Sequence, residues 1–346
     1  MSSGFHLAME GNAMTLRRIA ELAGTSKSTV SRVLTNHPRI SQRTREKVLA
    51  VIEEYHYRPN LFARALAGGR TGLLGVLSSN ISSGFFAEVI RGLDIAASRQ
   101  RGHIVVSIAH GNDDYSQLLN EMLASGQVDG LILIDPPLDL FNSPLPEKHF
   151  PLVLCASQPP DGAHGWREVD SVTVDNAKAM RGLVRHLLEQ GHQHVVHLAG
   201  PQNIYDAQQR RAAFEEAATQ LQVPRFDILD GHLVQTDGRE TMRSRFSDPS
   251  QWPDAFVAFN DSVAFGVLAE INGAKQRIAV TGWDNSPTAE VLGMTSVEMP
   301  MTELGEKSAD MLLERLSNST AAANPARRAI LDTTLHLRTS SKTGEL

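Results

Sequence analysis

Apolar positions follow two different rhythms along the chain. Through residue 57 they recur at helical spacing: Leu16, Ile19, Ala20 and Ala23, then Val30, Val33 and Leu34, then Val48, Val51, Ile52 and Tyr55. A hydroxyl residue precedes each set. Thr15, Ser26 and Ser41 can each accept an orphan backbone N–H as an N-cap, and Gly24 tolerates the left-handed conformation that stops a helix. The pattern predicts three short helices, the first two joined by a glycine turn as in a helix-turn-helix. From Thr71 the rhythm changes to short apolar runs at 73–77, 103–108, 130–134 and 151–155, and again at 171–174, 195–198, 255–259 and 278–281. Amphipathic segments at 88–100, 115–125, 177–190, 208–220 and 262–272 separate many of them, 301–316 is a further helix, and 331–337 reads as a last strand. Fully apolar strands alternating with helices predict doubly wound parallel sheets. The alternation restarts near 168–170, so two similar α/β halves are expected.

The polar positions of the second helix give the first functional lead. Lys27, Ser28, Ser31 and Arg32 fall opposite Val30, Val33 and Leu34. A helix fits the DNA major groove; Arg32 could pair bidentately with guanine, Lys27 could reach its O6 and N7, and Ser28 is permissive. An amphipathic surface helix would carry similar charges. The overall net charge of −6 looks wrong for DNA until it is divided. Residues 15–70 hold eleven Lys and Arg against four Glu, a net of +7 that leaves −13 on the rest. A basic head on an acidic body is the footprint of a protein that meets DNA with one face.

Other classes receive little support. Gly69, Gly72 and Gly75 do not form a dinucleotide loop, and no G-x-S-x-G elbow occurs. His192, His194 and His197 lack zinc spacing and read as a helix-to-strand turn. One cysteine, Cys155, rules out an internal disulfide and suits a cytoplasmic protein. No run approaches the roughly 18 apolar residues of a membrane span, and the start lacks the pattern of a signal peptide. Residues 1–14 read as a disordered extension, with Met14 an equally good start.

The blocks Ala23-Gly24, Ser26-Lys27-Ser28-Thr29-Val30-Ser31-Arg32-Val33-Leu34, Thr44-Arg45-Glu46-Lys47-Val48 and Tyr57-Arg58-Pro59-Asn60, at these spacings, carry a resemblance. Across 15–340 the chain resembles the LacI/GalR family of bacterial transcriptional regulators. The resemblance implies an all-α helix-turn-helix DNA-binding headpiece (15–59) and a hinge helix (60–70). It then implies an α/β effector-binding and dimerisation domain (71–340) of two Rossmann-like subdomains, periplasmic-binding-protein-like of type I, with a tail at 341–346. The subdomains would be 71–168 with 299–328, and 169–298 with 329–340.

Partners implied are a near-palindromic double-stranded operator, a second copy of the chain and a small effector, with a sugar or sugar derivative the leading guess. No cofactor or metal is implied, and no enzyme activity. A solute-binding protein is the alternative class, opposed by the basic head. Base contacts would fall to Lys27, Ser28 and Arg32, and backbone contacts to Thr15, Ser26, Thr29, Ser31, Ser41, Thr44 and Asn60. The hinge, too short to be stable alone, would place Ala63 and Leu66 in the minor groove, Leu66 as a wedge that kinks the duplex. The effector would meet Phe85, Phe86, Arg210, Asn260 and Asp284, beyond the carboxyl ends of the strands. Asp261 is expected to cap the helix after its strand instead. Two departures stand out: Ser83-Gly84 replaces the family's Asn-Pro before the aromatic pair, and Thr35 replaces a common Asn.

Overall fold

The structure is a computed structural model and describes residues 14–34, 37–57, 70–79, 81, 83–145, 150–163, 165–273, 278–317 and 325–342. The chain divides into two compact units at Thr71/Gly72. The hinge positions Asn60, Ala63 and Leu66, and Thr35, lie outside the described residues.

The first unit contains α1 (Leu16–Leu22), α2 (Lys27–Leu34) and α3 (Gln42–Glu54). All three expected caps form: Thr15 Oγ1 accepts from Arg18 N at 3.2 Å, Ser26 Oγ from Thr29 N at 3.1 Å, and Ser41 Oγ from Thr44 N at 3.2 Å. Gly24 takes φ +62° in the turn between α1 and α2. Ile19, Ala20, Ala23, Val30, Val33 and Val48 make the core. Two expectations are corrected. Tyr55 is exposed, and Tyr57 packs on the core in its place, because the helix ends at Glu54 and the chain turns through His56 at φ +48°. Met14 also packs on this core, so it belongs to the fold and not to an extension.

The second unit holds two six-stranded sheets. The first contains β1 (Leu73–Ser78), β2 (His103–Ile108), β3 (Gly130–Ile134), β4 (Leu152–Cys155), β5 (Asp170–Val174) and β11 (Arg328–Leu331), in the order β11-β5-β4-β3-β1-β2 and wholly parallel. The second contains β6 (His194–Leu198), β7 (Arg225–Leu229), β8 (Ala255–Ala258), β9 (Ala279–Trp283), β10 (Thr295–Glu298) and β12 (Thr334–His336), in the order β12-β10-β9-β8-β6-β7 with only β12 antiparallel. In β3 Ile132 and Ile134 enter one core cluster and Leu131 and Leu133 another. Apolar residues on both faces are the signature of a sheet covered on both sides.

The helices of this unit are α4 (Gly84–Arg99), α5 (Asn112–Ser125), α6 (Asn176–Glu189), α7 (Tyr205–Gln220), α8 (Gln235–Arg245), α9 (Asp261–Ile271), α10 (Pro287–Val291) and α11 (Met301–Ser317). α4 and α11 touch backbone to backbone. A Cβ on Gly92 would sit 2.0 Å from the Thr302 carbonyl oxygen, and one on Gly305 2.1 Å from that of Val89.

The expected subdomain limits need correction. β5 and β11 belong to the first sheet: Val153, Leu154 and Cys155 pair with Asp170, Ser171 and Val172, and Arg328–Leu331 pair with 171–174. The chain therefore enters the second half after Val174, not near 168, and residues 329–331 stay with the first. A restart of the strand–helix alternation does not say which sheet its first strand extends. The single strand expected at 331–337 is two, β11 and β12, one in each sheet. The tail also starts later than 341. Ser341 is fully buried, bonded through Oγ to His186 Nε2 at 2.8 Å and Thr295 Oγ1 at 2.6 Å.

Candidate functional site

In the first unit α2 carries the candidate DNA-facing side chains. Val30 and Val33 are buried, and Lys27, Ser28, Ser31 and Arg32 are exposed. Thr15, Ser26 and Ser41 are exposed too, with their hydroxyls engaged as caps; Thr29 and Thr44 are half-buried and bond to Ser26 and Ser41 hydroxyls at 2.8 Å. The described part of the predicted DNA face is thus presented to solvent on one small helical unit.

In the second unit a cavity of about 100 Å³ opens beyond the carboxyl ends of β1, β3, β8 and β9. Phe85, Phe86, Arg210, Asn260 and Asp284 all line it, so the structure brings together every effector residue expected from sequence. Phe85 and Phe86 open α4 and meet edge to face with ring centroids 5.1 Å apart.

Arg210 lies in the second turn of α7 and is only 3% exposed. Its guanidinium donates to Phe259 O at 2.8 Å, Asn176 Oδ1 at 3.2 Å, Asp206 Oδ2 at 3.5 Å and Met299 Sδ at 3.0 Å. The rings of Phe259 and Trp283 lie 4.8 and 4.4 Å from its central carbon, within cation–π range.

Asp284 follows β9 at φ +108°, and Asn285 takes φ +50°. The turn is pinned from several sides. Asp284 N donates to Val297 O at 2.8 Å, Asn285 N to Ser296 Oγ at 3.0 Å, Ser286 N to Asp261 Oδ2 at 2.7 Å, and Arg338 to Asn285 Oδ1 at 2.7 Å. Here the expected role of one neighbour, Asp261, changes. Asn260, not Asp261, is the N-cap of α9, its Oδ1 accepting from Val263 N at 2.9 Å while its Nδ2 donates to Leu233 O at 2.9 Å. Asp261 instead ties the Asp284 turn to β10, accepting also from Ser296 Oγ at 2.6 Å. The side chain one position earlier already caps, which leaves the acid to point at the neighbouring turn.

Two further acids that sequence reasoning did not select line the cavity, Asp135 and Asp206. Asp206 lies one helical turn before Arg210 and accepts from Asn176 Nδ2 at 2.9 Å. Asp135 follows β3 at φ +44°, and its Oδ1 is buried without a hydrogen-bond partner. Burial, with Asp206 nearby, pushes the Asp135 carboxyl up to about 8 against the pull of Arg210. Burial does the same to Asp284, also to about 8, with Arg210 opposing and Asp261 and Asp206 assisting. The sequence signals were slight: a lone acid closing an apolar run, and an acid at i−4 from the arginine. Of the polar run after β1, Ser79 lines the cavity, and Asn80 and Ser82 lie outside the described residues.

The three clustered histidines go to separate partners: His192 to Ser341 O, His194 to Asp227 and His197 to Val257 O. Among the described residues no group of His, Cys, Asp or Glu could hold a metal ion, and no helix is long and apolar enough to cross a membrane.

A helix-turn-helix unit followed by two parallel-sheet halves, with a polar cleft at the strand ends, defines a class: a DNA-binding regulator with a periplasmic-binding-protein-like sensing domain. The profile of bacterial regulatory proteins of the lacI family matches residues 15–60, and that of the periplasmic binding protein-like domain matches 184–341. Catabolite control protein A of Priestia megaterium is 30% identical over 326 residues, covering 89% of this chain and 94% of that protein. The HTH-type transcriptional repressor PurR of Escherichia coli O139:H28 is 28% identical over 317 residues, covering 88% and 91%. The chain belongs to the lacI family, as a DNA-binding transcriptional regulator with an effector-binding domain and not an enzyme. Among solved structures, the lac repressor dimer bound to operator and the anti-inducer ONPF superposes with a TM-score of 0.82 at 25% identity, covering 96% of this chain and all of that one. The CelR–cellobiose complex does so with a TM-score of 0.68 at 27% identity, covering 94% and 99%.

Proposed function

We propose that this chain is a homodimeric repressor whose operator affinity is set by a small polar effector held in the cleft between its two α/β halves. The observation that carries this reading is the convergence of Phe85, Phe86, Arg210, Asn260 and Asp284 on one cavity, in a chain whose α2 keeps Lys27, Ser28 and Arg32 outward. Two copies would set two recognition helices in successive major grooves, with half-sites about 10 bp apart on a near-palindrome. Asn60, Ala63 and Leu66 would form the minor-groove hinge, with Leu66 wedging the central step. Thr15, Ser26, Thr29, Ser31, Ser41 and Thr44 would register the headpiece on the phosphates. The effector acts only through unequal affinity for the two states, so operator DNA must shift effector affinity by the same factor.

The test is selection of bound genomic fragments with the purified full-length chain, with and without fractionated cell metabolites. A recurrent near-palindrome is expected, whose enrichment changes with one fraction; the direction of change separates inducer from co-repressor. Arg32→Ala should lose the enrichment, while Phe85→Ala should keep it and lose the response. No enrichment from a folded wild-type dimer would overturn the repressor reading, and an unaltered response in Phe85→Ala would overturn the cleft.

A further inference from the structure

The charge of the cleft is one-sided. Among the described residues four ionisable side chains line it: three acids, Asp135, Asp206 and Asp284, and one base, Arg210. Two of the four are already occupied with each other and their surroundings. Asp206 uses Oδ1 for Asn176 and Oδ2 for Arg210. Arg210 spends donors on Asn176, Phe259, Asp206 and Met299, and its planar group lies under two aromatic rings. An incoming phosphate or carboxylate could take a bidentate grip on Arg210 only by breaking these bonds.

The demand left open is of the opposite kind. Asp135 Oδ1 is buried with no partner, and among the described residues none donates to the Asp284 carboxylate. Such groups in a secluded place call for a donor, above all a charged one. Both acids are also held where they are by conformations that non-glycine residues adopt reluctantly, φ +44° and φ +108°. Asp135 N donates to Cys155 O at 2.9 Å and Asp284 N to Val297 O at 2.8 Å, so the fold over-determines both turns. On the α4 side Phe85 and Phe86 supply aromatic surface, which an ammonium group tolerates well.

We infer that the effector is a cation, a small polar molecule carrying a protonated amine, and that Asp135 and Asp284 are the carboxylates that receive it. The inference rests on the reading of the cleft as the effector site and narrows its ligand from polar molecules in general to amines. It sets aside sugar phosphates and organic acids, for which the cleft offers only an arginine already committed. Neutral sugars would bring no charge to pair with the two acids, whereas a protonated amine would hold them ionised.

The experiment is a thermal-shift screen of the full-length chain, followed by calorimetric titration, with probes in three charge classes. The amines are glucosamine, galactosamine, putrescine, agmatine and spermidine. The neutral probes are glucose, cellobiose and inositol, and the anions are glucose 6-phosphate, fructose 1,6-bisphosphate and citrate. Stabilisation is expected from amines only. Asp135→Asn and Asp284→Asn should each weaken the best amine about 10- to 100-fold, the loss of one charge-assisted contact. Asp135→Asn should fold at least as well as the parent, so loss of binding would not reflect loss of structure. The inference falls if a neutral or anionic probe binds best, if no amine binds, or if the best amine binds Asp135→Asn and Asp284→Asn unchanged. A neutral or anionic probe whose binding Phe85→Ala removes would leave the effector cleft standing while the cation reading falls. An operator response to no metabolite fraction at all would remove both.

Discussion

Replacing Asp135 by Asn should make the protein more stable, and by an amount that depends on pH. Asp135 is half-buried with its Oδ1 sealed from solvent, and this burial, with Asp206 nearby and only Arg210 opposing, pushes its carboxyl from 3.8 up to about 8. Between these values the folded chain holds a proton that the unfolded chain releases. The sign follows from linkage: the stability present below pH 3.8 is lost as pH rises towards 8, at about 1.4 kcal/mol per pH unit. By pH 7 the native acid has forfeited roughly 4 kcal/mol on this scale, an upper bound because water in the cleft relaxes the field. Asparagine keeps the shape, carries no charge at any pH and is among the residues that best tolerate positive φ. The expected gain is therefore about 2–4 kcal/mol at pH 7 and close to nothing at pH 4. Urea denaturation followed by tryptophan fluorescence at pH 4 to 8 would measure it, with equal m-values in the two chains. Asp284 also titrates near 8, but it is present in both chains and drops out of the difference. An equal gain at pH 4 and pH 7, or a loss at pH 7, would refute the argument that Asp135 is an unpaired buried acid. A confirmed gain would establish that Asp135 is held at a cost to stability, a cost that a bound amine would offset.

Asp170 illustrates the opposite case, a buried acid fully satisfied by Arg315 at 2.6 Å and Arg327 at 2.7 Å; Asp170→Ala strands Arg315 and should lower stability by about 3–5 kcal/mol in urea. Gly92→Ala would drive a methyl to 2.0 Å from the Thr302 carbonyl, so α4 and α11 must part; a loss of at least about 1–3 kcal/mol is expected in the same assay. Val30→Ala empties space in the core of the first unit, where Val30 is fully buried, for about 2 kcal/mol. DNA affinity should fall in a gel-shift titration while the main melting transition stays in place.

The sequence by itself determined what is local. Helix starts at Thr15, Ser26 and Ser41 could be read because a cap and its N–H donor lie within three residues. Most strands could be read because a segment buried on both faces must be apolar throughout, as 130–134 is. The edge strand β7, with Arg225 and Asp227 among its five residues, lacked that signal, as did α8, whose one long apolar side chain is Met242. The effector residues Phe85, Phe86, Arg210, Asn260 and Asp284 were legible through a family resemblance, with nothing local to bring them together. Only the tertiary structure decided the rest. It placed β5 and β11 in the first sheet, tied Asp261 to the Asp284 turn, and set Asp135 beside the Asp206–Arg210 pair. Each of these depends on groups far apart in the chain, such as Cys155 against Val172 or Asp206 against Asn176. Side-chain periodicity reports which face of an element is buried, and carries no record of what is buried against it.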